Sequence, residues 1–160
     1  VNSKLYKWIL IAILVLIAIP LVYFLVFDED KQEVNENYTI EVVTVANEAK
    51  SAFDDISTVT YKSMDMWTPE DIDLFYTALQ TLKGLEQKVN NIQPPEEYKS
   101  SHQEFLAACI SYGRSAELIE AGLESMDANM LNMALVHMED GNNHMSRATT
   151  MLQMMDQSEY

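Results

Sequence analysis

The sequence predicts an all-α protein: an N-terminal single transmembrane helix followed by an antiparallel up-down four-helix bundle. Three observations predict it. Residues 8–27 carry no charge, with Lys4 and Lys7 before them and Asp28, Glu29 and Asp30 after. Beyond them, apolar residues recur at alternating steps of three and four, the period of one helix face. The prolines after residue 27 fall where helices should begin, next to carboxylates that suit the positive end of a helix dipole.

Residues 8–27 come first. At about 1.5 Å per residue a helix of this length reaches across the roughly 30 Å hydrocarbon core, where only a structure that satisfies its own backbone groups survives. Pro20 lies within the run, and membrane helices tolerate such a proline. Tyr6 and Trp8 at one end and Tyr23 and Phe24 near the other suit the interfacial zones. Lysines before the run and acids after it keep residues 1–7 in the cytoplasm and put the rest of the chain outside it. A cleaved signal peptide fits less well. Its apolar region is about 7 to 15 residues and ends in a small-x-small site, whereas this run ends in Leu25, Val26 and Phe27. No cysteine follows the run to accept a bacterial-type lipid.

Residues 28–36 form a charged connector without proline or glycine, either a continuation of the membrane helix or a short tether. The bundle is expected over 37–156, with 157–160 as a tail. Its helices are expected at roughly 36–65, 69–93, 96–125 and 128–156. The first presents Val42, Val45, Ala49, Ala52 or Phe53, Ile56 and Val59 to the core. Thr68 and Pro69, followed by Glu70 and Asp71, mark the start of the second, whose core stripe is Ile72, Phe75, Leu79, Leu82, Leu85, Val89 and Ile92. Pro94, Pro95, Glu96 and Glu97 repeat that signal before the third, with Tyr98, His102, Phe105, Cys109, Tyr112, Ala116, Ile119, Leu123 and Met126 on one face. The break before the fourth helix is weaker, carried by Ser125 or Asp127 after Gly122. Leu131, Ala134 or Leu135, Met138, Gly141, Met145, Ala148, Leu152 and Met155 continue the pattern. Three-four alternation is the seam of helices packed at shallow angles, which makes an up-down bundle the natural assembly.

Composition excludes several functions. All 25 acidic residues and only 8 of the 10 basic ones follow Phe27, giving that portion a formal charge of about −17. Such a surface repels phosphate backbones and anionic lipid, which argues against nucleic-acid binding. Cys109 is the only cysteine, so no internal disulfide forms and stability rests on packing. An enzyme is not expected: no glycine-rich phosphate loop, serine elbow or zincin motif is present. A di-iron bundle needs glutamate three residues before a ligating histidine, and neither His137 nor His144 has one. Covalent haem attachment needs a second cysteine, and Asp28, Glu29 and Asp30 lack the glycine and glutamate of a calcium loop. Asn37, Tyr38 and Thr39 form one glycosylation sequon, a match that chance alone supplies in a chain of this composition.

One constellation stands apart. The fourth helix concentrates thioether and imidazole, and Met130, Met133, His137 and His144, with Met151, share a flank beside its core seam. Soft sulfur selects Cu(I) and imidazole adds affinity, so these residues are the candidate metal ligands. The alternative is that flexible methionines fill an irregular core and the histidines lie at its boundary. His102 and Cys109 are two turns apart, about 10 Å, too far for a nucleophile–base pair. They read as a satisfied, partly buried histidine and a buried small hydrophobe.

The stretch Pro94-Pro95-Glu96-Glu97-Tyr98, followed by His102, Phe105 and Leu106 and later by Asp127, Leu131, Ala134 and Gly141, resembles small membrane-anchored helical-bundle proteins of unknown function in archaea and bacteria. The resemblance covers the second half of the chain. It implies an extracytoplasmic bundle and transfers no catalytic residue or cofactor. The functional expectation is thus a module held in the lipid bilayer by residues 8–27 that binds an envelope protein or self-associates. Soft-metal binding is the alternative, and ligand sensing through a partner the third; chemoreceptor-like bundles return through a second span, and no second apolar run precedes Tyr160.

Overall fold

A computed structural model describes residues 36–157, with side chains described for 37–154. The apolar run at 8–27, the connector as far as residue 35 and the last three residues of the tail lie outside the described residues. No helix among the described residues is long and apolar enough to cross a membrane.

Four helices make up the fold: α1 (Glu36–Thr60), α2 (Pro69–Asn90), α3 (Lys99–Ser125) and α4 (Ala128–Gln157). Among the described residues there is no strand. Cross-helix pairs fix the topology. Glu48 meets Lys88, and Lys62, just past α1, meets Asp71 at the start of α2, so α1 and α2 run antiparallel. Between α3 and α4, Gly122 faces Leu131, Ser115 bonds Ala134, and Glu104 pairs with both His144 and Arg147. That descending register is again antiparallel. Tyr38 stacks near Tyr98 and His102 while Phe53 meets Tyr112, an ascending register that makes α1 and α3 parallel. The four helices therefore form an up-down-up-down bundle.

The core follows the predicted stripes over most of their length. Val42, Val45, Ala49, Phe53, Ile56 and Val59 of α1 are buried, as are Phe75, Leu79, Leu82, Leu85 and Val89 of α2. Tyr98, Leu123 and Leu152 are partly buried, and two stripe residues are exposed. Ile72 is 44% exposed, because the first turn of α2 buries Asp71 instead. Asp71 closes a capping box with Thr68 and receives the Lys62 ammonium at 2.6 Å. Met126 is 66% exposed, because it lies beyond α3 in the left-handed region at φ 53°. Its N–H bonds the Leu123 carbonyl and the Asp127 N–H bonds that of Gly122, the paired bonds of a Schellman motif. Asp127 then caps α4 by accepting from the Asn129 N–H at 2.8 Å.

The helix ends differ modestly from expectation. α1 stops at Thr60, and residues 61–68 form a connector around a 3-10 turn at Met64–Met66. Trp67 pins that connector by packing on Phe75, ring centroids 5.1 Å apart, and by donating to the Lys62 carbonyl. The Pro94-Pro95 signal opens a 3-10 turn at Glu96–Tyr98, and α3 proper begins one residue later.

The most extensive packing between described helices is that of α3 on α4. Small residues allow it: a Cβ on Gly141 would lie 2.5 Å from the Tyr112 ring, and one on Gly122 would lie 2.9 Å from Leu131. The Ser115 hydroxyl, fully buried, donates to the Ala134 carbonyl across this interface at 2.8 Å. Tyr112 donates to Asn142 Oδ1 at 2.9 Å while its ring meets Phe53 edge-on. One tyrosine thus ties α3 to both α4 and α1.

Candidate functional site

The methionine-histidine flank of α4 is the site singled out by the sequence. Met130 packs against the core and its sulfur lies 3.9 Å from the Ser125 hydroxyl. Met133 is exposed and His137 half-buried, one helical turn apart on the same flank. His144 lies two turns further on, about 10 Å along the axis, and Met130 to His144 spans about 21 Å at helical rise. One ion therefore cannot take all four. Met133 lies about one turn from Met130 and one from His137, which are themselves two turns apart, and His144 lies two turns beyond His137.

His144 has other partners. Its Nδ1 lies 2.7 Å from Glu104 Oε2 and 2.6 Å from an Arg147 terminal nitrogen, while Arg147 Nε donates to the same carboxylate oxygen at 2.8 Å. A single Nδ1 either donates to the carboxylate or accepts from the guanidinium, so the tautomer selects which contact is a hydrogen bond. The His144 and Arg147 bonds hold the Glu104 carboxyl below the usual carboxylate range. This trio clips α3 to α4 on the outer face of the bundle. Sequence reasoning missed it, because no local spacing relates residue 104 to residues 144 and 147.

A second titratable cluster sits where the start of α1, the end of α2 and the start of α3 converge. His102 is buried, with Nδ1 3.3 Å from the Tyr38 hydroxyl. The Tyr38 hydroxyl and the ring nitrogen share one proton between them, and which of them donates follows the tautomer. Burial lowers the His102 pKa and pushes that of Tyr38 up to about 12. Both groups are neutral at physiological pH and satisfied, as the sequence suggested for His102. Cys109 is fully buried, and burial pushes its thiol up to about 12.

A shallow groove of about 260 Å³ runs between α1 and α2, lined by Glu48, Ser51, Asp55, Thr77, Thr81 and Lys88, with Ala52 and Ala78 at its floor. Lys88 is engaged with Glu48 there. Among the described residues, no three His, Cys, Asp or Glu side chains are placed to share an ion. Every buried side-chain nitrogen or oxygen that is described has a hydrogen-bond partner.

A family model described as a domain of unknown function, DUF7018, matches residues 33–149. The chain belongs to the DUF7018 family. No curated protein and no solved structure matches it. The DUF7018 match covers all of α1, α2 and α3 and most of α4, and it begins after the apolar run at 8–27. It therefore agrees with an uncharacterised helical family and is silent on a membrane segment. Within the DUF7018 domain the His102 cluster belongs to the packed body, while the Glu104–His144–Arg147 trio and the methionine-histidine flank lie toward its surface.

Proposed function

We propose that this DUF7018 chain is a membrane-anchored, extracytoplasmic helical-bundle module that acts through protein–protein contact rather than catalysis. The observation that carries the reading is a bundle whose described buried polar groups are all mutually satisfied, joined in sequence to an uncharged twenty-residue run with lysines before it and carboxylates after. Reacting groups need a cleft that excludes water, and the groove between α1 and α2 is open and shallow. Chemical cross-linking of the full chain in native membranes tests the reading. A discrete adduct with an envelope protein or with a second copy is expected, and recovery as monomer alone overturns it. Protease added to intact cells should remove the bundle; a protected bundle overturns the address.

Exposed Met133 one turn from half-buried His137, with Met130 beside them, supports a second reading, soft-metal binding by Met130, Met133 and His137. His144, held by Glu104 and Arg147, takes no part in that site. Titration with Cu(I) against a competing chelator decides it, and affinity weaker than about micromolar retires it.

A further inference from the structure

In an up-down bundle the α1–α2 connector and the α3–α4 turn lie at the same end, here the end away from the start of α1. That end carries several exposed apolar side chains. Of the eleven large hydrophobic residues exposed among the described ones, five lie there: Tyr61, Met64, Met66, Ile72 and Met126. Tyr61 is 90% exposed and Met66 67%, so neither is needed to fill the core.

These side chains stand on a fixed support. The Lys62 N–H bonds the Val59 carbonyl, the Met66 N–H bonds Ser63 at 2.8 Å, Trp67 packs on Phe75, and the Thr68–Asp71 box with Lys62 locks the entry to α2. On the other side the Schellman motif holds Met126. A surface presented by a pinned backbone loses little further entropy on binding, and methionine adapts its shape to what covers it.

The charge around this surface is of one sign. Asp65, Glu70, Asp73 and Glu124 are exposed and Asp127 is half-exposed, while the local cation, Lys62, is bound to Asp71. An apolar patch with an anionic rim suits a ligand of opposite pattern, and it disfavours a second copy that brings the same carboxylates.

We infer that the end of the bundle bearing Tyr61, Met64, Met66, Ile72 and Met126 is a docking surface for a basic amphipathic protein segment, one that lays apolar side chains onto the methionines and lysines or arginines onto the surrounding carboxylates. This rests on the reading of the chain as an interaction module and names the surface and the chemistry of its partner. Nucleic acid is not the occupant, since the rim repels phosphate.

The test uses the full chain in nanodiscs of zwitterionic lipid, with empty discs subtracted. The probe is a synthetic amphipathic helix of leucine and lysine, and the control is the same peptide with glutamate in place of lysine. The lysine peptide should bind and the glutamate peptide should not. The double variant Tyr61→Ser, Met66→Ser keeps the net charge and should weaken binding about ten-fold or more, the loss expected when apolar contacts worth about 1.4 kcal/mol are removed. The variant Ile40→Ser, Val43→Ser changes two exposed residues near the opposite end and should leave binding within about two-fold of the parent. Equal weakening by both variants would mean bulk attraction to an acidic protein and overturns the assignment. Concentration-dependent dimerisation that Tyr61→Ser, Met66→Ser abolishes also overturns it, in favour of a second copy. Membrane cross-linking to an envelope protein that persists in Tyr61→Ser, Met66→Ser overturns the surface while leaving the interaction reading in place.

Discussion

Gly141 and Gly84 provide a matched pair of perturbations with opposite expected signs. Both are helical glycines, so replacement by alanine gains about 1 kcal/mol of helix propensity at either site. At Gly84 nothing lies within 4 Å of the added Cβ, and the gain should appear almost whole as about 0.5–1 kcal/mol of stabilisation. At Gly141 the added Cβ lands 2.5 and 2.6 Å from two carbons of the Tyr112 ring. Ordinary carbon contacts lie near 3.5–4.0 Å, so the ring or α4 must retreat by about 1 Å. Retreat is obstructed, because Tyr112 is buried, donates to Asn142 on α4 and rests edge-on against Phe53 of α1. Overpacking of this kind costs about 1–3 kcal/mol, and loss of the Asn142 bond adds about 1. After the propensity gain, Gly141→Ala should destabilise by about 1–3 kcal/mol. For a domain of this size that corresponds to roughly 4–12 °C in Tm, against a rise of roughly 2–4 °C for Gly84→Ala. Thermal and urea unfolding of the full chain, followed by circular dichroism, measure both. A double-mutant cycle isolates the cause: with Tyr112→Leu already present, Gly141→Ala should cost at least 1 kcal/mol less than it does alone. A Gly141→Ala protein as stable as the parent, or a cost unchanged in the Tyr112→Leu background, refutes the close-approach argument.

Met126→Gly removes a side chain from a left-handed position where little of it is packed, and should raise stability by about 0.5–1 kcal/mol in the same unfolding assay. Burial depresses the His102 pKa in the folded state, so the unfolded chain binds more protons as pH falls; stability should be complete above about pH 6.5 and decline as pH drops through the folded value. His102→Gln should flatten that decline, whereas losses from Asp71 and Glu104, whose carboxyls are held low, set in at more acid pH, as the unfolded carboxyls protonate in their ordinary range, and continue toward the lowered folded values. Cys109 should resist an alkylating reagent in the folded chain at neutral pH and react promptly in denaturant, as read by intact-mass spectrometry; rapid labelling of the folded protein would contradict its burial.

The helices and their order are legible in the sequence because amphipathic periodicity and helix punctuation are local. Thr68, Pro69 and Asp71 carry the α2 start in four consecutive residues, and the structure closes the expected cap there. Ile72 shows the limit of periodicity. It has the same spacing from Phe75 as a core residue, but the capping carboxylate of Asp71 and its ion pair with Lys62 claim the buried side of that turn. The turn at Met126 hides for a related reason: the αL position that a glycine would have announced is filled by methionine, which reads as one more core residue. The candidate ligands of α4 were visible as a flank, but Glu104 lies some forty residues from His144 and no spacing rule could separate His144 from Met130, Met133 and His137.

The two ends of the bundle divide burial differently, and that contrast is what gives the exposed methionines meaning. Where α1 begins, Tyr38, Tyr98 and His102 pack ring against ring, with the imidazole bonded to the Tyr38 hydroxyl. At the far end an equally well-bonded connector spends Trp67 on the core and leaves Tyr61, Met64 and Met66 in water. Poor folding does not account for this, because the backbone there is held by the cap, the 3-10 turn and the Lys62–Asp71 pair. Nor does a shortage of polar residues, since the same segment carries Asp65, Glu70 and Asp73. Residues 8–27 precede α1 in the chain, so the end where Tyr38, Tyr98 and His102 pack is the one nearer to them in sequence, and the apolar, acid-rimmed end is the opposite one.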